Sequence, residues 1–215
     1  MKVTLNHVTP DAENAIVKIA RVSSKRTDKV EKPEGLLNYL IKHKHWSPFE
    51  HGYMSVEIET SKAIGIQLIR HRSFTYQEFS QRYQDVSLID GMFESVELRK
   101  QAEDNRQSST EVFNPDVFYA GYSTAASAQI GKHFRASEDL YKKLLEEGIA
   151  REVARMVLPL ATKTKIHMTG SIRSWIHFLD LRDDAHAQKE IQDVAKEIKK
   201  IFIEQFPVIS KALNY

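Results

Sequence analysis

The densest chemistry in the chain is the run Gln67-Leu68-Ile69-Arg70-His71-Arg72-Ser73-Phe74-Thr75-Tyr76-Gln77-Glu78-Phe79-Ser80-Gln81-Arg82-Tyr83. Guanidinium forks match phosphate oxygens two at a time, hydroxyl and backbone donors complete such a shell, and a carboxylate can orient an arginine. The run therefore reads as recognition of a phosphate and a planar ring; a solvated basic helix end is the alternative, and spacing alone does not decide between them. His43, His45 and His51 would meet at a metal if their segment were extended. No fourth ligand is dictated, and histidines beside Trp46, Pro48 and Phe49 fit packing or ring stacking, so the expectation is no metal. Glu152 and Arg155 are spaced for an ion pair on one helix face. Arg182, followed by Asp183, Asp184 and His186, is placed as a helix-terminal cation. The G-x-G-x-x-G fingerprint, the P-loop and the G-x-S-x-G elbow are absent, so a nucleotide would need a less common scaffold.

The elements that must position these groups read as α+β. Residues 2–8 alternate as a strand, Asp11 is placed to cap a helix, and Pro33 opens another carrying Leu36, Leu37, Leu40 and Ile41. Met54, Val56 and Ile58 alternate with Ser55, Glu57 and Glu59, a strand with one wet face. Ser61 caps the next helix, expected to deliver Arg70, His71 and Arg72 at its C-terminal end. Residues 84–112 are polar and irregular apart from a weak strand at 93–98, a candidate flap. A helical pattern covers about 115–147, ended by Gly148, and suggests packing against another subunit or a kinked hairpin. After the short helix 151–158, TKTKIHMT alternates as a strand. Ser171 then caps a helix with Ile172, Trp175, Ile176 and Leu179 inside and Arg173, His177 and Asp180 on its polar face. A last helix over 185–206 buries Ile191, Val194, Ile198, Ile201 and Phe202.

Composition narrows the function. The 215 residues, 41% hydrophobic and 28% charged, suit one soluble domain spanning 1–215. Lys and Arg number 31 against 29 Asp and Glu, a formal charge of +2, too small for a surface that tracks nucleic acid throughout, so any basic site is local. The absence of cysteine excludes disulfides, thiolate metal sites and a cysteine nucleophile. No signal-peptide core or membrane-length apolar run is seen, so the expected location is cytoplasmic, with no membrane partner.

Arg70-His71-Arg72, seven residues and then Ser80 resembles the signature of the flavin-dependent thymidylate synthases. Ala20-Arg21-Val22-Ser23, the H-x-H-x-S-P-F-E-H run from His43 to His51, R-E-V-A-R-x-V-L-P from Arg151 to Pro159, and S-x-x-x-F-L-x-L-R from Ser174 to Arg182 with His186 to Gln188 behind it follow in the family's order. The resemblance implies a small, mostly antiparallel sheet against long helices, a homotetramer, FAD as cofactor, NADPH as reductant and 5,10-methylenetetrahydrofolate as carbon donor. The implied reaction is reductive methylation of dUMP to dTMP without a protein nucleophile, which suits a chain lacking cysteine. Carried over by position, substrate contacts are Gln67, Leu68, Ile69, Arg70, Glu78, Phe79, Ser80, Gln81, Arg82, Arg155 and Arg182. The implied catalytic residue is Arg182, stabilising negative charge on the pyrimidine. Flavin contacts are Ser47, Arg70, His71, Arg72, Glu78, Ser171, Ile172, Arg173 and His177, with His45 nearby; Ser171 stands where asparagine is common. A nucleotide- or RNA-binding module built on Arg70 to Arg82, without chemistry, is the alternative.

Overall fold

The computed structural model describes residues 1–22, 33–89 and 91–215. Ser23 of the Ala20–Ser23 box and Asp90 of the candidate flap lie outside the described residues. In chain order the elements are β1 (Lys2–Val8), α1 (Ala12–Ala20), α2 (Pro33–Lys42), β2 (Tyr53–Ser61), α3 (Lys62–Leu68), β3 (Phe74–Glu78), β4 (Arg99–Gln101), β5 (Ser109–Val112), β6 (Asp116–Tyr119), β7 (Tyr122–Ala125), α4 (Ala126–Glu146), α5 (Arg151–Ala154), β8 (Lys163–Ser171), α6 (Ile172–Arg182), α7 (Lys189–Gln205) and α8 (Pro207–Leu213). The fold is α+β, as the patterning predicts. One sheet has the order β1-β2-β8-β3. Its β2 and β8 run antiparallel: Thr169 Oγ1 bonds Ser55 Oγ at 2.8 Å near one end, and Lys62 N donates to Thr162 O at 2.8 Å beyond the other. No helix among the described residues is long and apolar enough to cross a membrane.

The chain divides into two compact units, neither contiguous. The first contains Met1, Glu59–Leu68 and Glu78–Lys165. Its core gathers Val86, Met92, Tyr141 and Ala154, with Phe79 and Leu144 packed against them. Residues 115–147 are not helical throughout. Ala120 (φ 52°) and Gly121 (φ 86°) are both left-handed, and Tyr119 pairs with Tyr122, so Asp116–Ala125 closes as a tight hairpin and the helix begins only at Ala126. Two positive φ values in succession match the right-handed strand twist, and glycine at the second removes the steric cost. The helix that remains, 21 residues, is about 30 Å long. The expected strand at 93–98 is also displaced. Phe93 makes a single bridge to Thr162, and antiparallel pairing begins only at β4, which joins β5 with a shift of register between Arg99 and Gln101.

The second unit contains Lys2–Ile58, Ile69–Gln77 and Ile166–Tyr215. Here the apolar stripe of α6 is buried as expected, and the indole N–H of Trp175 donates to Met54 O at 2.9 Å, fixing α6 on β2. A Cβ on Gly170 would collide with the Phe74 ring, so β8 must be bare there for the aromatic side chain of β3 to lie flat. Three expectations shift. Asp11 has φ 49° and its carboxylate accepts from Asn14 Nδ2 at 2.7 Å, with no side-chain cap of α1. α3 ends at Leu68, so Arg70 to Arg72 occupy the turn after it and not its last helical turn. The closing helix begins at Lys189, and Pro207 starts α8 after it, because proline suits a first helical turn and cannot continue the previous ladder.

Candidate active site

The second unit builds one cluster around α6. Ser171 caps the helix, its Oγ accepting from Ser174 N at 3.2 Å. Ser174 Oγ donates to Ser73 O at 3.3 Å, which spends its one proton, so Ser171 is the donor in the 3.1 Å hydroxyl pair with Ser174. Down the same helix Arg173, His177 and Asp180 face a cavity of about 780 Å³, walled opposite by Lys44, Trp46 and Glu50. Arg173 is ion-paired with Glu50. At the C-terminal end of α6, Arg182 Nε donates to His71 Nε2 at 2.9 Å. His71 is 8% exposed, its ring packs edge-to-face on Phe178 at 4.9 Å, and its carbonyl accepts from Tyr76 O–H at 2.9 Å. Burial first, then repulsion from Arg182 and His177, pushes the imidazole pKa down to about 4. The ring is therefore neutral near pH 7, and because Nε2 accepts, the proton sits on Nδ1. Among the described residues Arg182 has no carboxylate partner. Burial also lowers the pKa of its guanidinium.

The first unit builds the other cluster. Glu78 Oε1, at the end of β3, accepts from Lys62 Nζ at 2.7 Å and Thr164 Oγ1 at 2.8 Å. The chain then turns at Ser80, whose carbonyl accepts from Tyr83 N and Gln84 N at 3.0 Å each. That turn and the start of α5 enclose a cleft of about 540 Å³ lined by Ser80, Arg82, Tyr83, Arg151 and Glu152. Arg82 is exposed and reaches Glu152 only at 3.5 Å. Two guanidinium groups and a hydroxyl with one loosely held carboxylate are suited to an anion that displaces that carboxylate.

The family model described as "Thymidylate synthase complementing protein" matches residues 4–208. The chain belongs to the flavin-dependent thymidylate synthase family. A protein of Paramecium bursaria Chlorella virus 1 named as a probable flavin-dependent thymidylate synthase is 43% identical over 205 residues, covering 95% of this chain and 91% of its own. The flavin-dependent thymidylate synthase of Synechocystis sp. is 39% identical over 203 residues, covering 94% and 90%. Among solved structures, the UMP/dUMP methylase PolB of Streptomyces cacaoi, bound with 5-Br dUMP, superposes with a TM-score of 0.79 at 27% identity over 99% of this chain and 94% of that one.

A flavin needs a flat, polar cleft offering donors to its ring system and cations to its phosphates. The α6 cavity has the Trp46 indole, the His177 imidazole and the cations Lys44 and Arg173, so its residues fit such a group. Of the flavin contacts expected for a flavin-dependent thymidylate synthase, Ser171, Arg173 and His177 line this cavity. Ser47 is exposed in the short turn between Trp46 and Glu50. Ile172 lies in the core and its N–H donates to Gly52 O at 2.8 Å. Arg70 and Arg72 are exposed, His71 is committed to Arg182, and Glu78 belongs to the first unit. Of the expected substrate contacts, Ser80 and Arg82 line the first unit's cleft, with Phe79 in the core beneath. Gln81 is buried there, its Nε2 without a hydrogen-bond partner among the described residues. Leu68 is buried on α3 beside Gln67, and Ile69 is exposed in the second unit. Arg155 Nε donates to the backbone carbonyl of Glu152 at 3.3 Å, so the expected i,i+3 ion pair gives way to the Arg82–Glu152 contact.

Sequence reasoning missed Lys44, Trp46 and Glu50 as cavity walls, although all three lie inside the quoted His43–His51 run. It also missed Lys62 and Thr164, which no local pattern ties to Glu78. His43 and His45 gather on Tyr39, with ring centroids 4.3 and 5.9 Å from it. Among the described residues no group of three or more His, Cys, Asp or Glu side chains is placed to hold a metal ion.

Proposed function

We infer that this chain is a flavin-dependent thymidylate synthase that methylates dUMP to dTMP, with FAD as cofactor, 5,10-methylenetetrahydrofolate as carbon donor and NADPH as electron source. The observation that carries the reading is Arg182: a half-buried guanidinium whose hydrogen-bond partner is a neutral imidazole and which lacks a carboxylate among the described residues. A cation in that state is costly until an anion reaches it, and it stabilises negative charge strongly when one forms. Loss of the uracil N3 proton makes such an anion, raises electron density at C5, and prepares that carbon for bond formation without a thiolate. Arg82, Ser80 and Arg151 bind the nucleotide phosphate, Glu152 releasing Arg82 as it arrives. Arg173, Lys44 and His177 hold the flavin, with Ser171 as an acceptor because its own proton is spent on Ser174. When bound, FAD supplies the hydride that completes the new methyl group, and NADPH renews it. Homotetrameric assembly and a cytoplasmic location belong to the same proposal.

The test is the absorbance spectrum of the purified protein followed by anaerobic turnover with dUMP, 5,10-methylenetetrahydrofolate and NADPH. The expected outcome is a yellow protein that bleaches with NADPH and forms dTMP. A colourless protein that takes up no FAD supplied in excess would refute the assignment.

A further inference from the structure

We propose that His71 is a positioning residue for Arg182: its neutral ring, through Nε2, holds the guanidinium in the orientation that receives the pyrimidine anion. The proposal rests on the functional reading of Arg182 given above and assigns His71 a task distinct from the flavin contact that the resemblance implies.

The argument is geometric. Arg182 is the last residue of α6, where the backbone ladder ends and a long side chain would sample several rotamers. Its Nε is held at 2.9 Å by an acceptor 111 residues away in sequence. A carboxylate there would also orient it but would neutralise the charge needed for catalysis; a neutral imidazole orients it and leaves the charge intact. The ring cannot rotate freely. It is wedged edge-to-face between Phe178 at 4.9 Å and Phe74 at 6.4 Å, and Tyr76 O–H fixes the carbonyl of the same residue. The titratable groups facing it are Arg182 and His177 from α6 and Tyr76 from β3, and both α6 groups disfavour a second proton. Protonation would replace the acceptor with a donor and drive the guanidinium away.

The experiment compares dUMP affinity, by calorimetry on the flavin-loaded protein, among wild type, His71→Phe, His71→Gln, Arg182→Ala and the His71→Phe/Arg182→Ala pair. Phenylalanine keeps the ring packing and removes the acceptor; glutamine restores an acceptor at about the place of Nε2. H71F should weaken dUMP binding roughly 10- to 100-fold, as loss of one hydrogen bond to a charged group does. H71Q should recover most of that loss, and the double variant should bind no worse than R182A alone. Weak binding by R182A with wild-type binding by H71F overturns the positioning role alone. Wild-type binding and turnover by R182A would sink the functional reading beneath it. On the unmutated protein, ¹⁵N shifts of His71 should report a neutral ring protonated at Nδ1 at pH 6, and an imidazolium there overturns the acceptor role however H71F folds.

Discussion

Arg182 in the second unit and Arg82 in the first are both assigned to the nucleotide, yet their surroundings are opposites. Arg182 is half-buried at the C-terminal end of α6 and its partner is uncharged at 2.9 Å. The Arg82 side chain is 66% exposed, and its partner is a carboxylate at 3.5 Å that is itself 58% exposed. The first arrangement is organised before substrate arrives, with an unneutralised charge in a poorly solvated place. The second is loose, well solvated and easily exchanged. Preorganised charge lowers barriers, because nothing must reorganise as the reaction proceeds, whereas an exchangeable charge steers and grips a phosphate. The two positions show that burial suits equal residue types to different tasks, which is why the proposal gives Arg182 the developing charge and Arg82 the phosphate.

The largest expected effect breaks the comparison on its buried side. Arg182→Ala should lower dTMP formation roughly 100- to 1,000-fold with flavin content unchanged, measured by anaerobic turnover and absorbance; a loss confined to KM would make Arg182 a binding residue like Arg82. Next is acidity. Because the folded pKa of His71 is about 4 against an ordinary 6.5, the group is neutral in both states at higher pH and contributes no slope there. As pH falls from 6.5 to 4 the unfolded chain gains the proton first, and stability drops by about 3 kcal/mol at most, levelling below pH 4. Denaturant midpoints across that window should fall more steeply for wild type than for H71F, and parallel curves would remove the buried neutral imidazole from the account. Smaller again is Lys62→Met in the first unit, which strands the Glu78 carboxylate with Thr164 as its remaining partner among those described above. It should cost about 1–3 kcal/mol in urea unfolding, and a change under 0.5 kcal/mol would mean that water compensates Glu78. The smallest is Glu152→Gln, expected to change stability by less than about 1 kcal/mol because the pair is exposed. The same variant should tighten dUMP binding at low salt by freeing Arg82; unchanged affinity would show that Glu152 does not compete with the phosphate.

Much of the frame was legible in the residues. Period-two alternation marked β1 and β8, while Ser171, the first residue of SIRSWIHFLDLR, marked the start of α6 and the spacing within that run marked its polar face, because capping and amphipathic spacing are local effects. Locality also explains the misreadings. Phe118, Tyr119 and Tyr122 fall at helical spacing, and only the paired left-handed residues Ala120 and Gly121 turn that stretch into a hairpin. The boundary of α3 is not visible locally, because His71 in the turn that follows it is held by Arg182 from 111 residues away.

What the sequence by itself determined is the family, the α+β class and the side chains available for chemistry, since the order of the quoted boxes and the lack of cysteine are properties of the chain alone. What only the tertiary structure decided is the state of those side chains: that His71 faces Arg182 across 111 residues, that its ring is neutral, and that Glu78 is shared between Lys62 and Thr164. Protonation and charge strength depend on desolvation and on neighbours brought from elsewhere in the chain, and neither exists until the chain has folded.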